Sequence, residues 1–303
     1  MESMRPAERL QNILSWLLWP LLVGGALLWM GAAIQHRIPM VAALVALQLV
    51  AVPLVAGLER WMPEHASWNI EQRDLRTDAL HFLVSGVLIS GLLRTAIFAG
   101  VPSLGIWPTG WPLLVQFALA IALADLASYL THLLTHKRSL LWPIHAPHHS
   151  SHRLYWLNAT RMHPLDTAST LLLSLLPLAL LGTPAPVLAL FDAFALMHLM
   201  LQHSNIRLRH GALSHVIATA EFHRWHHSQL RADGESNYAS FFSLWDHLFG
   251  TFHKPTSRNP PEQIGLYDGA AMPDGWLGQL RFPFRVWLGR ESSLAPRPRD
   301  LTR

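Results

Sequence analysis

Long apolar runs recur along the first two-thirds of the chain. Residues 13–34 contain no charged side chain and are long enough to cross ~30 Å of hydrocarbon. Because a signal peptide has a shorter apolar core of about 7–15 residues, we expect an uncleaved helix here. Comparable runs cover residues 40–58, 79–101 and 111–134. The pattern therefore predicts four transmembrane helices.

A further apolar stretch, residues 169–203, is interrupted in its middle. The interruption is the segment GTPAP at residues 182–186, and proline in such a position ends a helix. The stretch predicts either a re-entrant hairpin of two half-length helices or a pair of tight spans. No alternating pattern typical of strands is apparent. The expected fold is an all-α integral membrane protein with about four transmembrane helices, this hairpin, and a cytoplasmic helical cap that is rich in histidine.

The distribution of basic residues predicts the orientation. Arg5 and Arg9 precede the first apolar run, and cytoplasmic segments are enriched in lysine and arginine. With the N-terminus in the cytoplasm, four crossings return the chain to the cytoplasm, in what we expect to be the cell inner membrane. Arg94 lies near the far end of the third run, where its side chain is expected to extend toward the interface.

The same pattern divides the chain into four parts. Residues 1–12 are expected to be a cytoplasmic N-terminus, and residues 13–110 to hold the first three transmembrane helices with their loops. Residues 111–255 are expected to form the catalytic region, and residues 256–303 a basic C-terminal tail. From Arg281 onward aromatic and basic residues are interleaved, which suits either anionic lipid headgroups or a solvated terminus.

Composition narrows the chemistry. Only 14% of the residues are charged, against roughly 25% in ordinary soluble domains, and a net charge of +4 does not suggest nucleic-acid binding. The absence of cysteine excludes disulfides, thiolate metal sites and cysteine nucleophiles. Histidine is abundant instead: 16 of the 19 histidines lie between His132 and His253.

Eight of these histidines fall into three spaced clusters. On a helix, side chains at positions i, i+3 and i+4 share one face, so each cluster directs two or three imidazoles in one direction. A single histidine is usually an ordinary core or surface residue. Eight beside an apolar phase are costly unless metal or hydrogen bonds satisfy them. The clusters are His132 and His136; His145, His148 and His149; and His223, His226 and His227.

The clusters hold too many ligands for a single metal ion. Imidazole suits zinc, copper, iron and nickel. Two metals beside a lipid phase, in a chain without cysteine, suggest O2 activation at a di-iron centre. The HExxH, GxSxG and P-loop motifs are absent, so a zincin-type protease, a nucleophile-elbow hydrolase and a P-loop nucleotide-binding protein are unsupported.

Further motifs surround the clusters in a fixed order. They are D-x3-Y-x2-H-x3-H from Asp125, W-x2-H-x2-HH-S from Trp142, N-x2-R-x-HP from Asn158, H-S-N from His203, H-R-x-HH-S from His223, and NY-x6-WD-x2-FGT from Asn237. Over about residues 55–255 the chain resembles the fatty acid hydroxylase/sterol desaturase superfamily of membrane di-iron proteins, in particular its bacterial members.

The resemblance implies which residues form the site. Two irons are expected to bind nine histidines, which are His132, His136, His145, His148, His149, His203, His223, His226 and His227. Other residues are expected to support them by hydrogen bonding or packing, and these are Asp125, Tyr129, His152, Arg161, His163, Asn237, Tyr238, Trp245 and Asp246. Among these, Asp125 is expected to hydrogen-bond a ligating histidine.

The resemblance also implies an O2-dependent oxidoreductase with two iron ions, which hydroxylates an unactivated C–H bond of a lipid from the bilayer. Desaturation by the same centre is the alternative within this class. Because the chain has no flavin motif and no cysteine set, electrons are expected from a separate ferredoxin- or cytochrome b5-like protein. An acidic donor would dock on basic residues near the boxes, unless these only reflect positive-inside bias: Lys137, Arg138, Arg153, Arg224 and Arg231.

Two alternatives belong to other classes. A metal transporter or metal-storage protein would place histidines inside the spans along a path, whereas here they gather after the fourth run. Ligation of haem by two histidines would need a pair inside opposing spans, and His81 and His198 are the candidates. The lipid itself stays open among sterol, fatty acyl, ornithine lipid, carotenoid and alkylglycerol classes.

Overall fold

Helices are the main regular secondary structure in the part of the chain that the structure describes. The computed structural model describes residues 5–255, 259, 261–267 and 272–292. Within these ranges no strand forms, and β-type pairing is limited to two isolated bridges. The helices are α1 (Pro6–Gln35), α2 (Met40–Trp61), α3 (Leu75–His81), a π-helical segment (Phe82–Ile89), α4 (Ser90–Gly100), α5 (Leu113–Lys137), α6 (Trp142–His149), α7 (Pro164–Leu181), α8 (Ala185–His203), α9 (Ala220–His226), α10 (Arg231–Gly234), α11 (Leu244–Phe249) and α12 (Trp276–Trp287).

Six stretches of helix in the described residues are long and apolar enough to cross a membrane, by length and composition. The first two are α1 and α2, and the third runs from α3 through the π-helical segment to α4. The others are α5, α7 and α8. Large apolar side chains on these helices point outward, for example Leu28, which is 77% exposed, and Val41, which is 75% exposed. Such surfaces suit lipid, as expected for an integral membrane protein.

The interrupted stretch forms two complete helices instead of half-length ones. α7 has 18 residues and α8 has 19. Gly182 ends α7 at φ +83°, a left-handed conformation that favours glycine. Pro184 then caps the start of α8. The structure therefore favours the paired-helix form of the hairpin, and the number of membrane crossings that it makes stays a prediction.

The core is built around α8. This helix lies against α1, α2 and α5, and α5 and α4 both pack against α7. Val187, Ala193 and Leu201 on α8 are fully buried, because the helix is covered on nearly every side. As a result α5, α7 and α8 are held side by side, and their ends carry much of the candidate site.

The described part of the predicted C-terminal tail is partly a packed helix. Phe282 on α12 is buried in one cluster with Trp142 and Tyr267, and Trp287 Nε1 donates to the Leu140 carbonyl at 3.0 Å. This segment therefore covers the region of α6 and is not a plain solvated terminus. Residues 293–303 lie outside the described residues.

Candidate metal centre and adjoining cavity

The nine predicted ligands converge at the ends of several helices. His132 and His136 lie in the last turns of α5, and His203 is the last residue of α8. The remaining six come from α6 and from α9 with its C-terminal cap, and eight of the nine are buried, His132 being partly exposed. Helices α5 and α8 thus end at one place, and two short helices close over it.

Two adjacent groups of imidazoles result. Within each group the nitrogen atoms that could bind a metal lie within 4.8 Å of one another. Among the described residues, no carboxylate belongs to either group. One group holds five residues, His132, His136, His145, His149 and His226, and the other holds four, His148, His203, His223 and His227.

Each of the two His-His pairs is divided between the groups. His148 belongs to the four-residue group and His149 to the five-residue group, and His227 and His226 follow the same division. Neighbouring residues on a helix point about 100° apart, and in each pair the two imidazoles lie in different groups. The stacked rings of His149 and His227, 4.4 Å apart, join the two groups.

Backbone carbonyls orient several of the rings. The Nδ1 atom of His132 donates to the Tyr238 carbonyl at 2.7 Å, and that of His226 donates to the Ser236 carbonyl at 2.7 Å. His203 Nδ1 donates to the Leu199 carbonyl at 3.0 Å. A hydrogen on Nδ1 leaves the lone pair on Nε2, and this is how ligating imidazoles are held in one tautomer.

Two residues absent from the sequence prediction also touch the ligands. His145 Nδ1 donates to Asp166 Oδ2 at 2.8 Å, and both side chains are buried. The Tyr267 hydroxyl lies 3.2 Å from His136 Nδ1. Asp166 follows His163-Pro164 in the first turn of α7, so an acidic residue at a helix start is its one sequence signal. No motif marks Tyr267, which a distant loop brings to the site.

The ring nitrogens that lack a hydrogen-bond partner show whether the nine histidines suit a metal. His223 Nε2 lies 2.7 Å from His203 Nε2 and 2.9 Å from His227 Nε2. One ring nitrogen carries at most one hydrogen, so several lone pairs face each other unless a cation lies between them. Three further Nε2 atoms are buried and have no hydrogen-bond partner among the described residues: those of His132, His145 and His226. The residues therefore fit a metal-binding site.

Burial sets the protonation state of five of the ligands that the short helices and their ends supply. It lowers the pKa of each imidazole well below its usual value, because the charged form loses its hydration, and neighbouring imidazoles add to the effect. Neutral imidazole is the form that binds metal. The residues concerned are His148, His149, His223, His226 and His227.

Asp125 does not hydrogen-bond a ligating histidine, contrary to the expectation. Its two carboxylate oxygens accept from the backbone N–H groups of Phe241 at 2.9 Å and Phe242 at 2.7 Å. Asp246 works similarly, accepting from the backbone of Tyr238 at 2.8 Å and Ala239 at 3.1 Å. The two carboxylates therefore hold the loop whose Ser236 and Tyr238 carbonyls orient the ligands.

The other predicted supporting residues lie farther from the ligand nitrogens. The Tyr129 hydroxyl meets Thr251 Oγ1 at 2.9 Å, and Arg161 Nη1 donates to Asp78 Oδ1 at 2.7 Å. His163 caps the start of α7 through the Leu165 N–H. The remaining members share a role in loop packing or lie at the surface: Asn237 Nδ2 donates to the His253 carbonyl, Trp245 packs against the cluster around Tyr129, and His152 is exposed.

The haem alternative finds no support in the contacts of its two candidates. His81 lies between the Met162 carbonyl and Gln279 Oε1, each at 3.0 Å. His198 accepts from Trp19 Nε1 at 3.3 Å. Each imidazole is thus engaged with a different part of the protein.

A cavity of about 250 Å³ adjoins both groups. Three helices line it with residues spaced by one turn, namely Ala124, Ser128 and His132 on α5, Asp166, Thr170 and Ser174 on α7, and Asp192, Ala195, Leu199 and His203 on α8. Its walls are mostly apolar. Five imidazoles, two from one group and three from the other, close one end: His132, His145, His148, His203 and His223.

The cavity also contains an ion pair. Arg94 Nη2 on α4 lies 2.7 Å from Asp192 Oδ2 on α8, and both residues line the cavity. Arg94 therefore turns inward to a carboxylate and does not extend toward the interface as expected. Its guanidinium carbon also lies 5.3 Å from the centre of the Phe98 ring.

Comparison with known proteins identifies relatives of this chain. A model of the fatty acid hydroxylase family matches residues 117–251. The chain is 34% identical to the ornithine lipid hydroxylase OlsE of Rhizobium tropici, over 97% of this chain and 91% of that protein. It is 31% identical to an alkylglycerol monooxygenase of Danio rerio, over 60% of this chain and 36% of that protein. A methylsterol monooxygenase 1 of Gallus gallus is 28% identical over 56% of this chain and 57% of that protein.

The match covers about a third of the length of the alkylglycerol monooxygenase and somewhat more than half of the length of the methylsterol monooxygenase. No solved structure matches the chain. The relatives are named as lipid hydroxylases or monooxygenases. The region matched by the family model contains all nine of the predicted ligand histidines and the loop whose carbonyls orient several of them. The chain belongs to the fatty acid hydroxylase family and is an oxidoreductase.

Proposed function

We propose that this protein is a membrane-bound di-iron oxygenase that hydroxylates an unactivated C–H bond of a lipid. The observation that carries the proposal is the pair of histidine groups at the end of an apolar cavity between membrane-type helices. The reaction would consume O2, two electrons and two protons, and would yield one hydroxyl group and one water. The names of the relatives favour hydroxylation over desaturation.

The two groups would each hold one iron. Imidazole is a suitable iron ligand, and the sequence offers no thiolate as a competitor. When bound, two irons supply the redox chemistry by which O2 is reduced and one oxygen atom is transferred to carbon. The protein's own contribution is to hold the nine rings close together and to orient several of them through hydrogen bonds.

The cavity residues would hold the lipid. Leu175, Phe191 and Leu199 line its walls and would exclude water from the reacting carbon. Ser128 and Ser240 share a hydrogen bond of 2.9 Å at the wall, which lowers the cost of placing two hydroxyls beside the chain of the lipid. Similarity over nearly the full length to an ornithine lipid hydroxylase favours an amino-acid lipid as the substrate class.

Electrons would come from a separate ferredoxin- or cytochrome b5-like protein. Two of the five basic residues that were expected to dock the donor protein, Arg153 and Arg224, are buried and do not contribute to the surface. Arg153 donates to Asp74 at 2.7 Å. Lys137 and Arg138 are exposed near the end of α5, so we place the docking surface there.

We further propose that the catalytic region faces the cytoplasm at the inner membrane. The division into an N-terminal segment 1–12, spans within 13–110, a catalytic region 111–255 and a tail 256–303 is retained as part of this proposal. The boundary between the last two parts is less sharp than this division implies, because α12 of the tail packs on the catalytic region. The positive-inside distribution supports this orientation.

Purified protein tests the main proposal directly. With O2, a chemical or protein reductant and total lipid extract, we expect about two irons per chain and a lipid product that gains 16 daltons. A loss of two daltons would indicate desaturation. Zinc as the sole metal, together with metal transport in vesicles, would overturn the proposal.

Adjacent histidines allow a sharper test of the two-metal arrangement. His148→Ala and His149→Ala remove ligands from different groups. We expect each variant to retain about one iron of the two and to differ from the other in its iron spectroscopic signal, while both lose hydroxylation. His152→Ala, an exposed neighbour, is the control and should keep both irons. Identical spectra from the two variants would contradict the division.

A further inference from the structure

The ion pair Arg94–Asp192 is the one strongly polar feature of the cavity away from the imidazoles. It joins α4 and α8, both of which belong to candidate spans. Charged side chains in such segments are costly and usually mark a binding or transport path. Arg94 and Asp192 are not sealed from their surroundings, since their side chains are 31% and 22% exposed.

The pair and the imidazoles occupy different levels of the same cavity. Asp192 and His203 lie on one helix, and a rise of about 1.5 Å per residue puts roughly 16 Å of helix axis between them. The remaining wall is mostly apolar, and its polar members include the hydroxyl residues Thr170 and Ser174 on α7 and the pair Ser128–Ser240. Ser174 Oγ is buried and has no hydrogen-bond partner within the described residues.

A purely structural tie between two helices accounts poorly for these features. An ion pair that only joins helices gains most when its charges are covered and fully hydrogen-bonded. Here both groups keep open hydrogen-bonding capacity: the guanidinium has five N–H donors and the carboxylate has two acceptor oxygens. The open positions face a cavity that also contains an unpaired hydroxyl. A ligand that carries both an anionic group, which accepts hydrogen bonds from Arg94, and a cationic group, which donates to Asp192, would fill these open positions.

We propose that Arg94 and Asp192 bind the charged polar group of the lipid substrate, with Arg94 taking a carboxylate and Asp192 an ammonium group. The inference rests on the proposed lipid oxygenase function and specifies its substrate as a zwitterionic lipid of the amino-acid type. Binding at this point places the part of the lipid next to its polar group between the pair and the imidazoles. Ser174 supplies a further hydrogen bond along that path.

The experiment measures binding without turnover. Iron-loaded protein in nanodiscs, kept without reductant, is titrated with a lipid that carries an ornithine headgroup and with a diacylglycerol of the same chain length. Wild type is expected to bind the ornithine lipid preferentially. Arg94→Gln and Asp192→Asn should weaken that binding about ten- to a hundredfold, the range for charged hydrogen bonds, and leave diacylglycerol binding unchanged.

Further variants separate recognition from folding. Arg94→Lys keeps the charge and should retain most of the preference. The exposed ion pair of Arg285 with Glu291 lies outside the cavity, so Arg285→Gln is the matched control and should bind like wild type. Iron content, unchanged in every variant, reports that the site is folded. Equal binding of both lipids by wild type, or an unaltered preference in both neutralised variants, overturns the proposal.

This outcome is distinguishable from failure of the oxygenase proposal. If reduced wild-type protein hydroxylates diacylglycerol as readily as ornithine lipid, the assignment of the pair is wrong and the oxygenase function stands. If wild type binds ornithine lipid through the pair but oxidises no lipid with O2 and reductant, the oxygenase proposal fails and the binding site stands.

Discussion

In four of the nine rings, the ligating nitrogen is selected by the hydrogen bond of the opposite nitrogen. His132, His203 and His226 use backbone carbonyls for this purpose, and His145 uses the carboxylate of Asp166. A carboxylate acceptor also makes the imidazole a stronger donor to metal. Asp166 is therefore the supporting residue whose loss should affect the metal most directly.

Asp166→Ala is expected to weaken metal binding about ten- to a hundredfold, the usual cost of losing such a partner. Asp166→Asn keeps an acceptor oxygen for His145 Nδ1 and should show a smaller loss. The measurement is the iron that remains after equilibration with a chelator of graded concentration. Asp192→Asn removes a carboxylate that pairs with Arg94 and not with a metal-binding histidine, and it is the control. Iron retention by Asp166→Ala equal to that of wild type would contradict this role.

At the scale of elements, the hairpin of α7 and α8 determines the shape of the cavity. α7 begins beside the imidazoles and α8 ends among them, so the turn between the helices lies at their far end. There Gly182 has a left-handed backbone, and an added Cβ would collide with Ser103 Oγ. The turn thus ties the hairpin to the segment that follows α4.

Gly182→Ala is expected to destabilise the protein, because a left-handed residue with a Cβ costs roughly 1–2 kcal/mol and the clash adds to it. The measurement is the melting temperature in one detergent. Gly25→Ala is the matched control, since an added Cβ at Gly25 meets nothing within 4 Å. Alanine in a helix interior is more favourable than glycine by about 1 kcal/mol, so the control should melt at or above wild type. A Gly182→Ala variant as stable as the control would show that the turn is not strained.

At the scale of the whole molecule, the site lies at one side of the candidate spans. The ends of α5 and α8 and the start of α7 meet at the imidazoles. The hairpin therefore returns to the same side whether it crosses the membrane or re-enters it. Orientation then depends on the four earlier spans, for which the positive-inside rule predicts a cytoplasmic site.

Single cysteines can test this orientation, because the chain contains no cysteine of its own. Thr109 precedes α5, Ser139 follows it, and both are exposed. In spheroplasts, Thr109→Cys is expected to react with a membrane-impermeant maleimide. Ser139→Cys should react only after the membrane is permeabilised. The reverse pattern would place the histidine groups outside the cytoplasm.

The sequence by itself determined the long apolar helices, the membrane character and the identity of the histidine motifs. These are local properties, since the length of an apolar run and the spacing of residues along one helix do not depend on its neighbours. The break at residues 182–186 was also visible, although only the structure shows two complete helices on either side of it.

Tertiary structure decided everything that depends on contacts between helices. Spacing places His148 and His149 on one short helix, but the imidazoles that α5, α8 and α9 bring beside each of them assign them to different groups. The same holds for Asp125, which binds a loop backbone instead of an imidazole, and for Asp166, which no motif singled out. Arg94 meets Asp192 across two spans, because an unpaired charge in an apolar interior is costly and the fold supplies its partner from a distant part of the chain.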